Sequence, residues 1–210
     1  MQKLLLHPVY FGPVSQFAAL ANAEEIVFEN EDNYQKQTYR NRMYIYGANG
    51  KLLLNIPIKH TGNKSGHQKY KDIKIENDFP WQKQHWKSIE TVYRTSPFFE
   101  FYEDDFYPLY HQKFKFLMDF NYHSLELALE CMQTEINFKK TTEYLKEPKE
   151  ILDGRFLAEA KNKKSQTMET YPQVFQEKFG FLNDLSIVDL IFNEGPNALN
   201  YLQRQKISFP

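Results

Sequence analysis

The chain has 210 residues, 41% hydrophobic and 16% aromatic, with 26 Lys and Arg against 27 Asp and Glu for a net charge of −1. Length and apolar content suffice for one packed domain and exclude a disordered chain, while the balanced charge excludes a global field for nucleic acid or an anionic membrane. Any anion site must be local. Cys131 is the only cysteine, which excludes an intrachain disulfide framework and a thiolate metal centre and suits a reducing cytosol.

The opening "MQKLLLHPVYF" is too short in its apolar run for a signal peptide, and no run approaches the ~18 apolar residues that span a bilayer, so a cytoplasmic chain is expected. "KLLL" reads as a buried strand stopped by Pro8, which biases His7 to an extended backbone. Val14, Phe17, Ala18 and Ala21 fall at helical spacing, and "EIVFE" reads as a second strand. Arg40–Ile45 and Leu52–Ile58 are predicted to pair as an antiparallel hairpin around Asn49-Gly50, and "KYKDIKIEN" offers a further strand beside Leu52–Lys59.

From Pro80 to Arg94 the pattern is helical, with Asp78 as a candidate N-cap. "SPFFEFYEDDFYPLY" is expected to break it, and a longer helix to run from about Pro108 to Gln133. Asn137 to Met168 is polar and weakly periodic, which predicts a loosely docked segment. Asn183 or Asp184 is expected to cap a helix through Phe192, Gly195 to end it, and Pro196 to open another. The class is α+β: an N-terminal mixed β-sheet with a hairpin, followed by a mainly helical C-terminal half.

In the hairpin, alternation puts Arg40, Arg42, Tyr44 and Tyr46 on one face and Tyr39, Asn41, Met43 and Ile45 on the other. Two guanidiniums side by side suit a phosphate or carboxylate; equally, their stems can cover aromatic neighbours on an exposed face. Asn41 must pin a loop or face a polar cavity, since an unpaired buried carboxamide costs ~1–3 kcal/mol. His85 shares an apolar helix face with Trp81 and Ile89, where both a sheltered base and a packed core histidine are found. His7 emerges at a strand end, where sites collect in mixed folds. The six His form no metal motif, and no GxGxxG, GxxxxGK[ST] or GxSxG stretch is present, so neither a metal nor a cofactor is named. Asn193 stands at a helix end against Gly195-Pro196.

The order of these stretches is more specific than any one. "HPVYFGPVSQFAAL", "TYRNRMYI" with "GKLLLNIPI", "WQKQHWKSIETVYRTSPFF" and "YPQVFQEKFGFLNDLSIVDLIFNEGPNAL" together resemble the WbqC-like protein family across a single domain of 1–210, leaving out a variable segment at about 139–170. Tyr10, Arg40, Asn41, Arg42, Pro57, Trp81, His85, Tyr93, Pro97, Asp189, Asn193 and Gly195 match its recurring positions. His7-Pro8 departs from the Gln-Pro of many relatives, and "YFGP" from their Tyr-x-Pro-Trp.

Such proteins are encoded among genes for O-antigen and other bacterial surface polysaccharides. The resemblance implies a cytoplasmic transferase that moves an amino acid (glycine) or acyl group onto an amino-sugar precursor; the alternative is a noncatalytic binding or assembly protein of the same pathway. It further implies His85 as catalytic base and Tyr10, Arg40, Asn41, Arg42, Trp81 and Asn193 as substrate-binding residues. The expected partners are a sugar or nucleotide-sugar precursor and an acyl or aminoacyl donor, not nucleic acid.

Overall fold

Leu4, Leu5 and Leu6 are all buried, because the strand that carries them is covered on both faces. A computed structural model describes residues 3–59, 68–161 and 166–210. Strand β1 (Lys3–Leu6) leads through helix α1 (Val14–Ala21) to β2 (Glu25–Phe28), which pairs parallel to β1 in the register Lys3↔Glu25 to Leu6↔Phe28. The second unit is the hairpin, β3 (Arg42–Gly47) and β4 (Gly50–Asn55), antiparallel from Arg42↔Asn55 to Gly47↔Gly50. Its loop is Ala48-Asn49, and the positive φ falls on Gly50 (+97°), the pattern of a type I turn closed by a glycine rather than of a mirror-image turn.

Three helices follow: α2 (Trp81–Tyr93), α3 (Phe99–His111) and α4 (Leu117–Cys131). The aromatic run expected as a break is itself α3. Pro108 lies in its last turn rather than opening the next helix, and residues 112–116 separate α3 from α4. "KYKDIKIEN" supplies no ladder strand either. It makes a 3-10 turn at Tyr70–Asp72 and single bridges, Ile58↔Ile75 and Lys74↔Phe116, since Pro57 cannot donate to a continued ladder.

The polar stretch after α4 contributes β5 (Phe138–Lys140), parallel to β2, and β6 (Leu152–Asp153), parallel to β1. The sheet order is therefore β5-β2-β1-β6, parallel throughout. Short α5 (Gln176–Phe179), α6 (Ile187–Glu194) and α7 (Ala198–Arg204) complete the chain. The cap of α6 is Ser186, whose hydroxyl accepts from the Val188 N–H. Asp184 is committed elsewhere, accepting from the main-chain N–H (2.8 Å) and hydroxyl (2.9 Å) of Ser15 at the start of α1. Gly195 ends α6 with φ +52°, against the Phe98 ring, where a Cβ would meet Cδ1 at 2.5 Å. The α+β class with an N-terminal sheet and hairpin and a mainly helical second half is what the sequence pattern predicts.

Candidate functional site

Arg42 opens β3 opposite Asn55, the last residue of β4, and Asn41 lies one residue ahead of the strand. The Asn41 carboxamide nitrogen donates to Asn55 Oδ1 (3.1 Å) and to the Ile56 carbonyl (2.9 Å), while the Ile56 N–H donates to the Asn41 carbonyl (2.8 Å). These bonds hold the open end of the hairpin as one wall of a cleft of about 640 Å³. Tyr34, Lys36, Asn41, Arg42, Asn55, Glu76 and Phe79 are among its lining residues. The volume is that of a small-molecule site.

Arg42 has no ion-pair partner among the described residues, and its Nε is buried without a hydrogen bond. Asn41 Oδ1 is buried without one as well. Each such group costs about 1–3 kcal/mol until something satisfies it. Glu76, the carboxylate of this wall, is drawn toward Lys59 at 3.5 Å and does not neutralise Arg42.

Arg40 goes elsewhere. It precedes the strand in a turn pinned by the Tyr39 N–H on the Ala158 carbonyl (2.8 Å) and the Tyr10 N–H on the Tyr39 carbonyl (3.0 Å). Its guanidinium is 1% exposed. Nη2 lies 2.7 Å from His7 Nε2 and 2.9 Å from Asp32 Oδ2, and the group rests on the Tyr70 ring. His7 stands at the carboxyl end of β1, and burial, then the charges of Arg40 and Arg155, push it well below the ordinary histidine value. A neutral His7 accepts from Arg40 through Nε2. Tyr34 lines the cleft, and its ring lies 6.3 Å from that of Tyr70, over which Arg40 sits, so it adjoins both the cleft and this buried cluster.

Tyr10, Trp81 and His85 form a third group, in the core between α2 and α4. The Tyr10 hydroxyl is 2.9 Å from His85 Nδ1 and 2.8 Å from the Tyr110 hydroxyl, and Trp81 packs edge-on against His85. Burial pushes His85 down to about 4, so the ring is neutral at pH 7, with its other side toward the Asn55 main chain. None of the three lines the cleft. His85→Gln should therefore lower stability by about 1–3 kcal/mol, seen as a clear drop in melting temperature, and a wild-type melt would show the ring to be dispensable to packing.

Asn193 belongs to the C-terminal helices, donating from Nδ2 to the Asp189 carbonyl at 2.7 Å. The Asp189 carboxylate accepts from the Tyr93 hydroxyl (2.7 Å), the Tyr171 hydroxyl (2.7 Å) and Gln173 Nε2 (3.0 Å). This fastens the 171–173 segment to α2 and α6, away from the cleft. The structure thus unites Asn41 and Arg42 and places Arg40, His85, Tyr10, Trp81 and Asn193 in separate buried networks. Sequence reasoning missed Tyr34, Lys36, Asn55, Glu76 and Phe79. Of these, Asn55 had a signal, as the hairpin partner of Arg42.

Among the described residues no group of three or more His, Cys, Asp or Glu is placed to hold a metal, and no helix is long and apolar enough to cross a membrane. The chain is 24% identical over 213 residues to the uncharacterized protein Rv1507c of Mycobacterium tuberculosis (strain ATCC 25618 / H37Rv), an alignment covering 89% of this chain and 91% of that one. No solved structure matches it. A family model described as the WbqC-like protein family matches residues 7–160, a span that takes in the buried His7 cluster, the whole hairpin and every residue named as lining the cleft. The chain therefore belongs to the WbqC-like protein family.

Proposed function

We propose that the protein is a transferase of bacterial O-antigen or other surface-polysaccharide biosynthesis that binds an anionic sugar precursor in the Arg42 cleft. The observation that carries this reading is the Arg42 guanidinium, with no ion-pair partner among the described residues, lining a cleft of small-molecule size together with Asn41. Arg42 holds the phosphate or carboxylate; the Asn41–Asn55 amide pair orients a hydroxyl or amide of the sugar. For acyl or aminoacyl transfer to an amino sugar, the amine nitrogen attacks the acyl carbon, the donor's leaving group departs, and Glu76 is the carboxylate at hand to take the amine proton. A noncatalytic glycan-binding role uses the same cleft, and the position of His85 outside it favours that second reading.

The test is titration calorimetry with glucosamine 1-phosphate as probe. Arg42→Gln should weaken binding by roughly 1.5–3 kcal/mol, about 10- to 150-fold, because a charged hydrogen bond is lost. Its melt should stay near wild type, since Arg42 has no ion-pair partner to orphan among the described residues. Equal affinity in the two proteins would remove Arg42 from the site.

A further inference from the structure

Phe79 is 63% exposed, an unusual place for a large apolar ring, and it stands in the same cleft as Arg42. Single exposed apolar residues need no explanation on an open surface, but this one shares a concave wall with Tyr34, Pro57 and Ile58, so the cleft has an apolar, aromatic part beside its polar part. The polar part carries two cations, Lys36 and Arg42, the latter without an ion-pair partner among the described residues, while Glu76, the carboxylate of the same cleft, lies 3.5 Å from Lys59. Asn41 and Asn55 lie beside them.

A ligand matched to both parts is polyanionic at one end and flat at the other. From these contacts we infer that the cleft takes a nucleoside diphosphate group, with its phosphates on Arg42 and Lys36 and its base stacked on Phe79. The inference rests on the reading of the Arg42 cleft as the binding site and narrows its substrate class to nucleotide-linked precursors. No glycine-rich phosphate loop is needed, because side chains rather than main-chain N–H groups supply the charge. Stacking on one ring tolerates any base, since each has a π face, so base choice is not fixed by Phe79.

The experiment compares inorganic pyrophosphate, UDP, ADP and glucosamine 1-phosphate by calorimetry on wild type, Phe79→Ala, Phe79→Trp and Arg42→Gln. Phe79 is exposed, so its variants should melt with the wild type. UDP and ADP should bind about tenfold or more tighter than pyrophosphate, Phe79→Ala should erase that advantage while leaving pyrophosphate unchanged, and Phe79→Trp should keep it. Arg42→Gln should weaken all four probes. If pyrophosphate binds through Arg42 but the nucleotides bind no tighter, or if Phe79→Ala binds UDP and ADP like wild type, the base subsite is wrong and the cleft reading stands. Phe79-dependent tightening of glucosamine 1-phosphate without tightening of the nucleotides would put the sugar on Phe79 and overturn the inference. Failure of all four probes to bind wild type would overturn both readings.

Discussion

Arg40→Gln should destabilise the protein by roughly 3–5 kcal/mol, a large share of the ~5–15 kcal/mol that holds an ordinary domain folded. The guanidinium is buried with Asp32, itself 6% exposed, and donates hydrogen bonds from Nη2 to Asp32 Oδ2 and to Nε2 of a neutral His7. Glutamine brings no charge, so the Asp32 carboxylate stays in the interior with, among the described residues, the Asn33 main-chain N–H and His7 beside it. An uncompensated buried charge is the costly outcome; replacing both partners by apolar groups costs far less. Arg40→Lys should fall between, keeping the charge but losing the planar fork over Tyr70. Urea denaturation measures this directly. A midpoint within error of wild type for Arg40→Gln would mean that the Arg40–Asp32 pair contributes nothing to folding. Set beside Arg42→Gln, which should fold normally and bind poorly, the result separates two arginines that stand two positions apart.

That separation is what the sequence could not show. Alternation assigns Arg40 and Arg42 to one face only if the strand already runs at Arg40, and the strand starts at Arg42. What turns the chain at 38–40 is contact with Tyr10 and Ala158, and no local rule contains those partners. The same limit explains α6: Asp184 is a good N-cap by composition, but Ser15, 169 residues away, has taken its carboxylate, and Ser186 caps instead. Elements whose periodicity closes within the segment were legible, as β1, α1, β2, the hairpin and α2 show. Strands of three and two residues, β5 and β6, are too short to display alternation, and α3 hides its helical stripe inside an all-round aromatic run ending in Pro108. In the site, Asn41 and Arg42 stood out because a carboxamide and a cation interrupt a good strand. Tyr34, Lys36 and Phe79 come from connecting segments, where one aromatic or lysine looks like any other until the chain is folded.

Asp189→Ala should be the other severe substitution, costing about 3–5 kcal/mol. It removes a fully buried acceptor and strands the Tyr93 and Tyr171 hydroxyls and the Gln173 amide at once. Asp189→Asn keeps the shape and isolates the charge. Burial pushes the carboxyl up to about 6, against the three donors that pull it down, while in the unfolded chain it titrates near about 4. The folded state therefore binds the extra proton between those values, and the contribution of this group to stability is greatest when it is protonated and falls as pH rises from about 4 to about 6. Two units amount to about 3 kcal/mol at most. The histidines slope the other way: His85, at about 4 when folded, and His7, also lowered, take up protons more readily unfolded, so their stabilising share is lost as pH drops below the ordinary histidine range near 6.5. A wild-type pH curve mixes both and can look flat. The informative quantity is the stability of wild type minus that of Asp189→Asn, in which the histidines cancel, and it should fall between about pH 4 and 6 and level off above. A difference that is constant, or that rises across this window, would mean that the hydrogen bonds from Tyr93, Tyr171 and Gln173 outweigh burial and hold Asp189 ionised at acid pH.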